Sequence, residues 1–354
     1  MTATAAVESA PASSPSVASV VAEGATSTSA RRSPKELIAA TREFQKENRA
    51  RSWFHLLETF GAFGLLSAVA AVAPWWPLRL AAALVNGLVI VRLFILYHDF
   101  MHNALLRGSS IAKGIMYAFG VYVLVPPNVW RQTHNYHHAN TAKIVGSHVG
   151  SYLMVTTEMW AKMTPLERFG YRAQRHPLTI FFAYLTVFLY GMCVSPFLRS
   201  PRKSWDSLLA LVLHVAATVA ILLLAGWQAW LFVLLLPLFV ATMAGAYLFY
   251  VQHNYPEINV QPRDQWEYTR AALESSSYLE TGAVMAWFTG NIGYHHVHHL
   301  NPAIPFYRLP EAMAAIPELA RPLGRTTLRP RDIVRAFACK LWDPALGKMV
   351  GYPR

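Results

Sequence analysis

Eight of the chain's fourteen histidines fall into three short groups. His98 and His102 are spaced HxxxH, His134, His137 and His138 are spaced HxxHH, and His295, His298 and His299 repeat HxxHH with His296 inside. Residues three and four apart on a helix share a face, so each group can aim two or three imidazoles at one point. A single pair would read as an ordinary polar helix face, but three groups together read as a metal centre. Imidazole suits iron, zinc, copper and nickel alike, so ligand type alone leaves the metal open. Eight imidazoles exceed the places of one tetrahedral zinc, which points to two ions. A zinc peptidase would carry glutamate directly after the first histidine. Asp99 stands there, and HExxH occurs nowhere in the sequence. Soluble di-iron sites use glutamates and Glu-x-x-His pairs, and none of the three groups contains a glutamate. Oxygen chemistry at an iron pair held by histidines is what remains.

The elements that must carry these groups are apolar. Of 354 residues 54% are hydrophobic and only 14% charged, against about 25% charged in soluble domains. Phe54–Ala73, Pro77–Tyr97, Trp205–Ala225 and Trp227–Tyr250 are long apolar runs, and about 20 helical residues cross a bilayer core. They form two hairpins, turning at Pro74-Trp75-Trp76 and at Gly226, with tryptophans placed for an outer interface. Lys46, Arg49 and Arg51 precede the first hairpin and Arg199, Arg202 and Lys203 the second, so the other ends face the cytoplasm. Pro177–Phe197 is equally apolar, yet Arg168, Arg172 and Arg175 precede it and Arg199 follows. Basic flanks on both sides predict a re-entrant or in-plane segment, with Gly191 and Pro196 as candidate breakers. Ile111–Pro126 is expected to be embedded without crossing. The fold class is therefore all-α, with four transmembrane helices under a cytoplasmic helical cap. Residues 1–32 lack hydrophobic periodicity and read as a disordered tail, leaving residues 33–354 as a single membrane domain. Ser33, Pro34 and Glu36 have the spacing of a capping box that opens a polar helix over 33–50. A net charge of +12 fits cytoplasmic lysine and arginine better than nucleic-acid binding. Cys193 and Cys339 form no CxxC pair and read as free thiols.

At Trp287–Leu300, which contains the third histidine group, and at Asn301-Pro302 and Tyr307–Pro310 the chain resembles the membrane fatty acid desaturase family. Phe249–Asn254 and Leu341–Asp343 match as well, and the resemblance covers roughly residues 50–350, closest to the acyl-lipid omega-6 (delta-12) type. It implies four transmembrane helices and two irons held by His98, His102, His134, His137, His138, His253, His295, His298 and His299. It also implies O2-dependent removal of two hydrogens from adjacent methylenes of an acyl chain. His253 enters through this match and through the lean supply of eight ligands for two ions. Asp99, His296 and Asn291 are expected beside the ligands rather than on the metal. Phe100 and Met101 stand where the family usually has small residues, so they are expected to shape the acyl path. Relatives of the stearoyl type hold an iron-bound water on an asparagine at the position of Phe249, and that role is not carried over.

His214 is expected to be hydrogen-bonded within the bundle, and His148 to be loop polarity. Arg92 and Glu58, charges within the apolar runs, are functional candidates. No fused cytochrome b5, GxGxxG or iron–sulfur CxxC pattern occurs, so electrons are expected from an external carrier, ferredoxin first and cytochrome b5 second. The basic residues Arg168, Arg172, Arg175, Arg202, Lys203 and Arg325 would suit an acidic carrier. A bacterial inner membrane is favoured over a plastid membrane. Two other readings stand beside desaturation: a di-iron hydroxylase or ketolase, and more distantly a histidine-rich metal transporter.

Overall fold

The computed structural model describes residues 32–147 and 149–353. The expected tail lies outside them except for Arg32, and so does His148. Helix α1 (Pro34–Ala40) opens with the expected capping box, Ser33 and Glu36 exchanging side-chain and backbone hydrogen bonds. It stops after seven residues, and a 3-10 turn at Arg42–Gln45 leads to α2 (Arg49–Val72), capped by Asn48. The polar helix expected over 33–50 is thus two short pieces, because Asn48 caps the following helix instead. Helix α3 (Trp76–Met101) returns antiparallel to α2 and is the most buried long helix, with Ala82, Ala83, Val89, Ile90 and Leu96 all inside.

The second long stretch runs continuously from Trp205 to Gln252, 48 residues. Straight, it would reach about 72 Å. Yet both of its ends meet α5 (Pro127–Asn140): Asn128 donates its N–H to Asp206 at 2.7 Å, and His253 touches His137 at 3.1 Å. The stretch must therefore double back. It does so at Gly226, the one non-helical residue inside it, at φ 82 and ψ 173, a region open essentially to glycine alone. Helix α10 (Trp205–Ala229) holds the first arm and the turn, and the second arm continues through a π-helical run at Trp230–Leu235 into α11 (Leu236–Gln252). Trp75, Trp76 and Trp227, at the two hairpin turns, are all more than 60% exposed. Leu223 and Leu224 on α10 and Phe54, Leu57 and Leu65 on α2 are likewise exposed, an apolar surface of the kind that faces lipid.

Helix α4 (Ser110–Tyr122) precedes α5, from which it is bent by 89°. After α5 come α6 (Thr157–Lys162), α7 (Pro165–Gln174) and then the segment expected to be re-entrant: α8 (Pro177–Phe181), a π-helix at Tyr184–Val194 and α9 (Ser195–Arg199). Its contacts trace a dip and a return. Ile180 packs in one cluster with Tyr250, Phe181 and Phe182 reach Phe239, and the Tyr184 hydroxyl meets His214 Nε2 at 2.6 Å. By Met192 the chain is back beside Ser207, near the start of α10. The reversal falls at Phe182–Ala183, and Gly191 and Pro196 are not the breakers. The hydroxyl of Thr186 donates to the carbonyl of Thr179 at 2.7 Å, satisfying a group beside the break in apolar surroundings. Pro196 is accommodated because it follows the π-helix, and the carbonyl of Met192, which its missing N–H would have engaged, accepts from the Ser207 hydroxyl at 3.2 Å.

The remaining elements cap one end of this bundle. They are α12 (Tyr268–Glu274), α13 (Ala283–Phe288), α14 (His295–Leu300), α15 (Leu309–Ala315) and α16 (Pro330–Ala338). Two small sheets complete the cap: β1 (Tyr278–Glu280) parallel to β2 (Arg325–Thr327), and β3 (Leu341–Asp343) antiparallel to β4 (Lys348–Val350). Within the long helices Arg92 and Glu58 pair at 2.9 Å. Arg92 also donates to the Trp287 carbonyl and lies over the Trp287 ring at 4.3 Å, so it ties α2 and α3 to α13.

Candidate metal centre

Four helices bring nine histidines together. Helix α3 ends in His98 and Met101 with His102 as its cap. Helices α5 and α14 carry the HxxHH groups, and His253 caps α11. They form two sets, His98, His102, His134, His138 and His298 in one, and His137, His253, His295 and His299 in the other, with ligand atoms in each set within 4.8 Å of one another. The expectation that each group serves a single point is corrected here. A helix turns about 100° per residue, so positions i and i+4 nearly align while i+3 falls to one side. Accordingly His134 and His138 join the first set and His137 the second, while His295 and His299 join the second and His298 the first. Helices α5 and α14 exchange one histidine each, so the packing of this one pair fixes the separation of the two sets.

The geometry of the second set tests whether a metal fits. Four Nε2 atoms close a ring: His137 to His253 at 3.1 Å, His253 to His295 at 2.8 Å, His295 to His299 at 3.1 Å and His299 to His137 at 3.3 Å. At most two of these four contacts can be hydrogen bonds, because His253 and His299 turn a lone pair inward and His137 and His295 have one Nε2 proton each to give. His253 places Nδ1 against the Ser275 carbonyl at 3.0 Å, which only an N–H can use. His299 places Nδ1 3.3 Å from the Thr141 hydroxyl, whose proton is committed to the His137 carbonyl. A square of such edges has its centre about 2.2 Å from each corner, close to the 2.0–2.1 Å of a metal–imidazole bond. In the first set His138 Nε2 lies 3.1 Å from His134 and 3.2 Å from His298, and His102 Nε2 is buried without a hydrogen-bond partner among the described residues. The donor set fits two cations.

Burial and mutual proximity push the imidazoles of His134, His137, His138, His295, His298 and His299 well below their ordinary titration range, and burial takes His253 to about 4. They are neutral at physiological pH, as ligands must be. Asp99 lies 3.0 Å from His98 Nδ1 and accepts the Phe306 N–H at 2.6 Å, while Asn291 donates to the Phe306 carbonyl at 3.3 Å. Asp99 and Asn291 thus hold one short loop against the first set. His296 stays out of both sets, 3.0 Å from the Leu319 carbonyl.

A cavity of about 820 Å³ reaches both sets through His98, His134 and His295 and is walled by Val91, Phe94, Trp130, Phe188, Leu248 and Phe249. Phe100 and Met101 are not on its wall. Both lie at the end of α3 beyond His98, where Phe100 packs against the core and Met101 sulfur lies 3.9 Å from the Arg131 guanidinium. The stretch of α3 that does face the cavity is Val91–His98, one to two turns earlier. Phe249 sets its ring 4.9 Å from that of His137, an apolar cover beside the second set.

A family model described as fatty acid desaturase matches residues 73–329. The chain belongs to the fatty acid desaturase family. It is an oxygen-dependent desaturase, introducing a double bond into an acyl chain. The desaturase is 29% identical over 313 residues to a fatty acid desaturase of Bacillus subtilis, covering 87% of this chain and 88% of that one. It is 24% identical to an sn-1 oleoyl-lipid 12-desaturase of Synechocystis, over 86% of this chain and 88% of the relative. It is 25% identical to an sn-1 acyl-lipid omega-3 desaturase (ferredoxin) of Nostoc, over 76% of each.

Sequence reasoning missed Arg175 as part of this desaturase's interior, placing it on a docking surface. It is 1% exposed, donates to the carbonyls of Leu153 and Cys339 and to the side chain of Asn254, and so braces the neighbour of His253. Thr141 and Ser275, which orient His299 and His253, carried no local signal, since their partners are 158 and 22 residues away.

Proposed function

We propose that the nine histidines hold two irons, five on one and four on the other, in a single membrane domain spanning residues 33–354. The ring of four Nε2 atoms carries this reading, because it sets four nitrogens around one point at metal-ligand reach. Bound iron would supply O2 activation and hydrogen abstraction from the acyl chain. The protein's own part is positional. Asp99, Thr141 and the Ser275 carbonyl fix three rings in the tautomer that presents Nε2. The apolar cavity lays adjacent methylenes beside His98 and His295 and keeps water away from them. The four arms α2, α3, α10 and α11 cross the membrane, and residues 177–199 enter it and return. With basic flanks inside, both sets and the cap face the cytoplasm of a bacterial inner membrane. The substrate is an acyl lipid, as the names of two relatives suggest. One relative's name includes ferredoxin, which favours that carrier over cytochrome b5, and Arg172 and Arg202 are exposed for it.

Two measurements test the reading. Protein purified without oxygen should carry two irons per chain and little zinc, and stoichiometric zinc without iron would overturn it. Expression in a host lacking desaturases should yield lipids lighter by two hydrogens, whereas products heavier by one oxygen would assign the site to hydroxylation.

A further inference from the structure

The cavity that reaches the histidines has an uneven wall. Apart from histidines, its only charged residues among the described ones are Arg199, at the end of α9, and Lys203, four residues on, and no described carboxylate lines it. Neither side chain makes an ion pair or hydrogen bond to the described residues. Other cations near the site are engaged: Arg92 with Glu58, Arg131 with the Tyr117 hydroxyl, Arg175 with three carbonyl oxygens. Two free cations thus stand on the rim of an otherwise uncharged hollow, with Gln174 and Ser200 beside them. A guanidinium and an ammonium four residues apart, beside neutral donors, match a phosphate group, which takes charge-assisted bonds from both. The re-entrant segment would therefore serve two purposes. Its Val187, Phe188 and Met192 wall the chain-binding part, and its C-terminal end carries the cations.

We propose that Arg199 and Lys203 bind a phosphate on the head group of the substrate, so that the acyl chain is taken from a phosphate-bearing carrier rather than from a neutral glycolipid. This deepens the desaturase reading and rests on it. The phosphate of a phospholipid and that of acyl-CoA or acyl carrier protein share this chemistry. Lipid is the source the geometry favours, since the cations flank a segment that dips among the long apolar helices.

The test uses the full chain in dodecyl maltoside micelles, which carry no phosphate, and compares it with R199Q/K203Q. Phosphatidylglycerol, monogalactosyldiacylglycerol, acyl-CoA and acyl carrier protein, each carrying the same acyl chain, are supplied in turn. The double variant should raise KM for the phosphate-bearing substrate about tenfold or more, the effect of losing one or two charge-assisted bonds, with kcat unchanged. R199K should recover part of the loss. Equilibrium binding of fluorescent phosphatidylglycerol to metal-free protein should weaken by the same factor. Which phosphate-bearing substrate responds identifies the source. An unchanged KM for all of them, or an equal loss on the galactolipid, would overturn the proposal, as would turnover of the galactolipid alone. Failure of the desaturase reading shows itself separately, as absent iron and no product from any substrate.

Discussion

At the residue scale the second histidine set turns on His253. Without it three imidazoles remain, and the ring of Nε2 contacts opens at its shortest edge, 2.8 Å to His295. His253→Ala should therefore lose iron from one site while keeping its helical content, and activity should fall at least a hundredfold. His214→Ala, which removes only the hydrogen bond to Tyr184, should keep both irons and near-normal turnover. Retention of full iron by His253→Ala would break the nine-histidine assignment. Proton linkage gives a second handle. His253 and His296 are held to about 4 by burial, whereas an unfolded imidazole titrates near about 6.5. Above that value both states are neutral and the stability is intact. As pH falls from about 6.5 towards 4 the unfolded chain takes up protons that the folded chain refuses, so stability is lost in that window. Metal-free protein should show a falling Tm over that range, and a flat Tm would mean that these rings are already solvated. Iron-loaded protein should resist to lower pH, since the metal competes with protons for the same nitrogens.

At the element scale the hairpin at Gly226 and the cavity-facing stretch of α3 make separate claims. Gly226 has open space around its α-carbon, so Gly226→Ala isolates the backbone cost of φ 82 and ψ 173, about 1–3 kcal/mol. Gly61→Ala within α2 meets nothing either and should stabilise by about 1 kcal/mol, the helix-propensity difference. Equal melting shifts for the two would place the turn elsewhere. The cavity wall includes Val91 and Phe188 but not Phe100 or Met101. Phe188→Ala should accordingly shift the chain length or bond position of the product, and Phe100→Ala with Met101→Ala should leave both unchanged. The reverse result would show that the acyl chain runs past the far side of His98.

At the scale of the whole molecule the prediction concerns sidedness. The native thiols Cys193 and Cys339 are buried, so single introduced cysteines report cleanly. At Ser109, Ser200 and Leu323 they should label from the cytoplasmic face only, and at Trp75 and Trp227 from the opposite face only. Outer labelling at Ser200 would mean that residues 177–199 cross the membrane. That outcome would also part the two HxxHH groups across the bilayer, which the interleaving of α5 with α14 does not allow.

Much of this was legible in the chain because it is local. The histidine spacings, the capping box at Ser33 and the glycine turn at Gly226 are set by residues within a turn of one another, and the apolar runs by their own composition. The tertiary structure decided what depends on distant partners. It split each HxxHH group between two sets, because a helix turns its i+3 position away from the i, i+4 face and a second helix must stand there to meet it. It took Arg175 from the surface into the interior, where carbonyls from residues 22 and 164 positions away receive it. It also put the cavity beside Val91–His98 and not beside Phe100 and Met101, since which face of α3 borders a hollow depends on α11 and residues 177–199 packed around it.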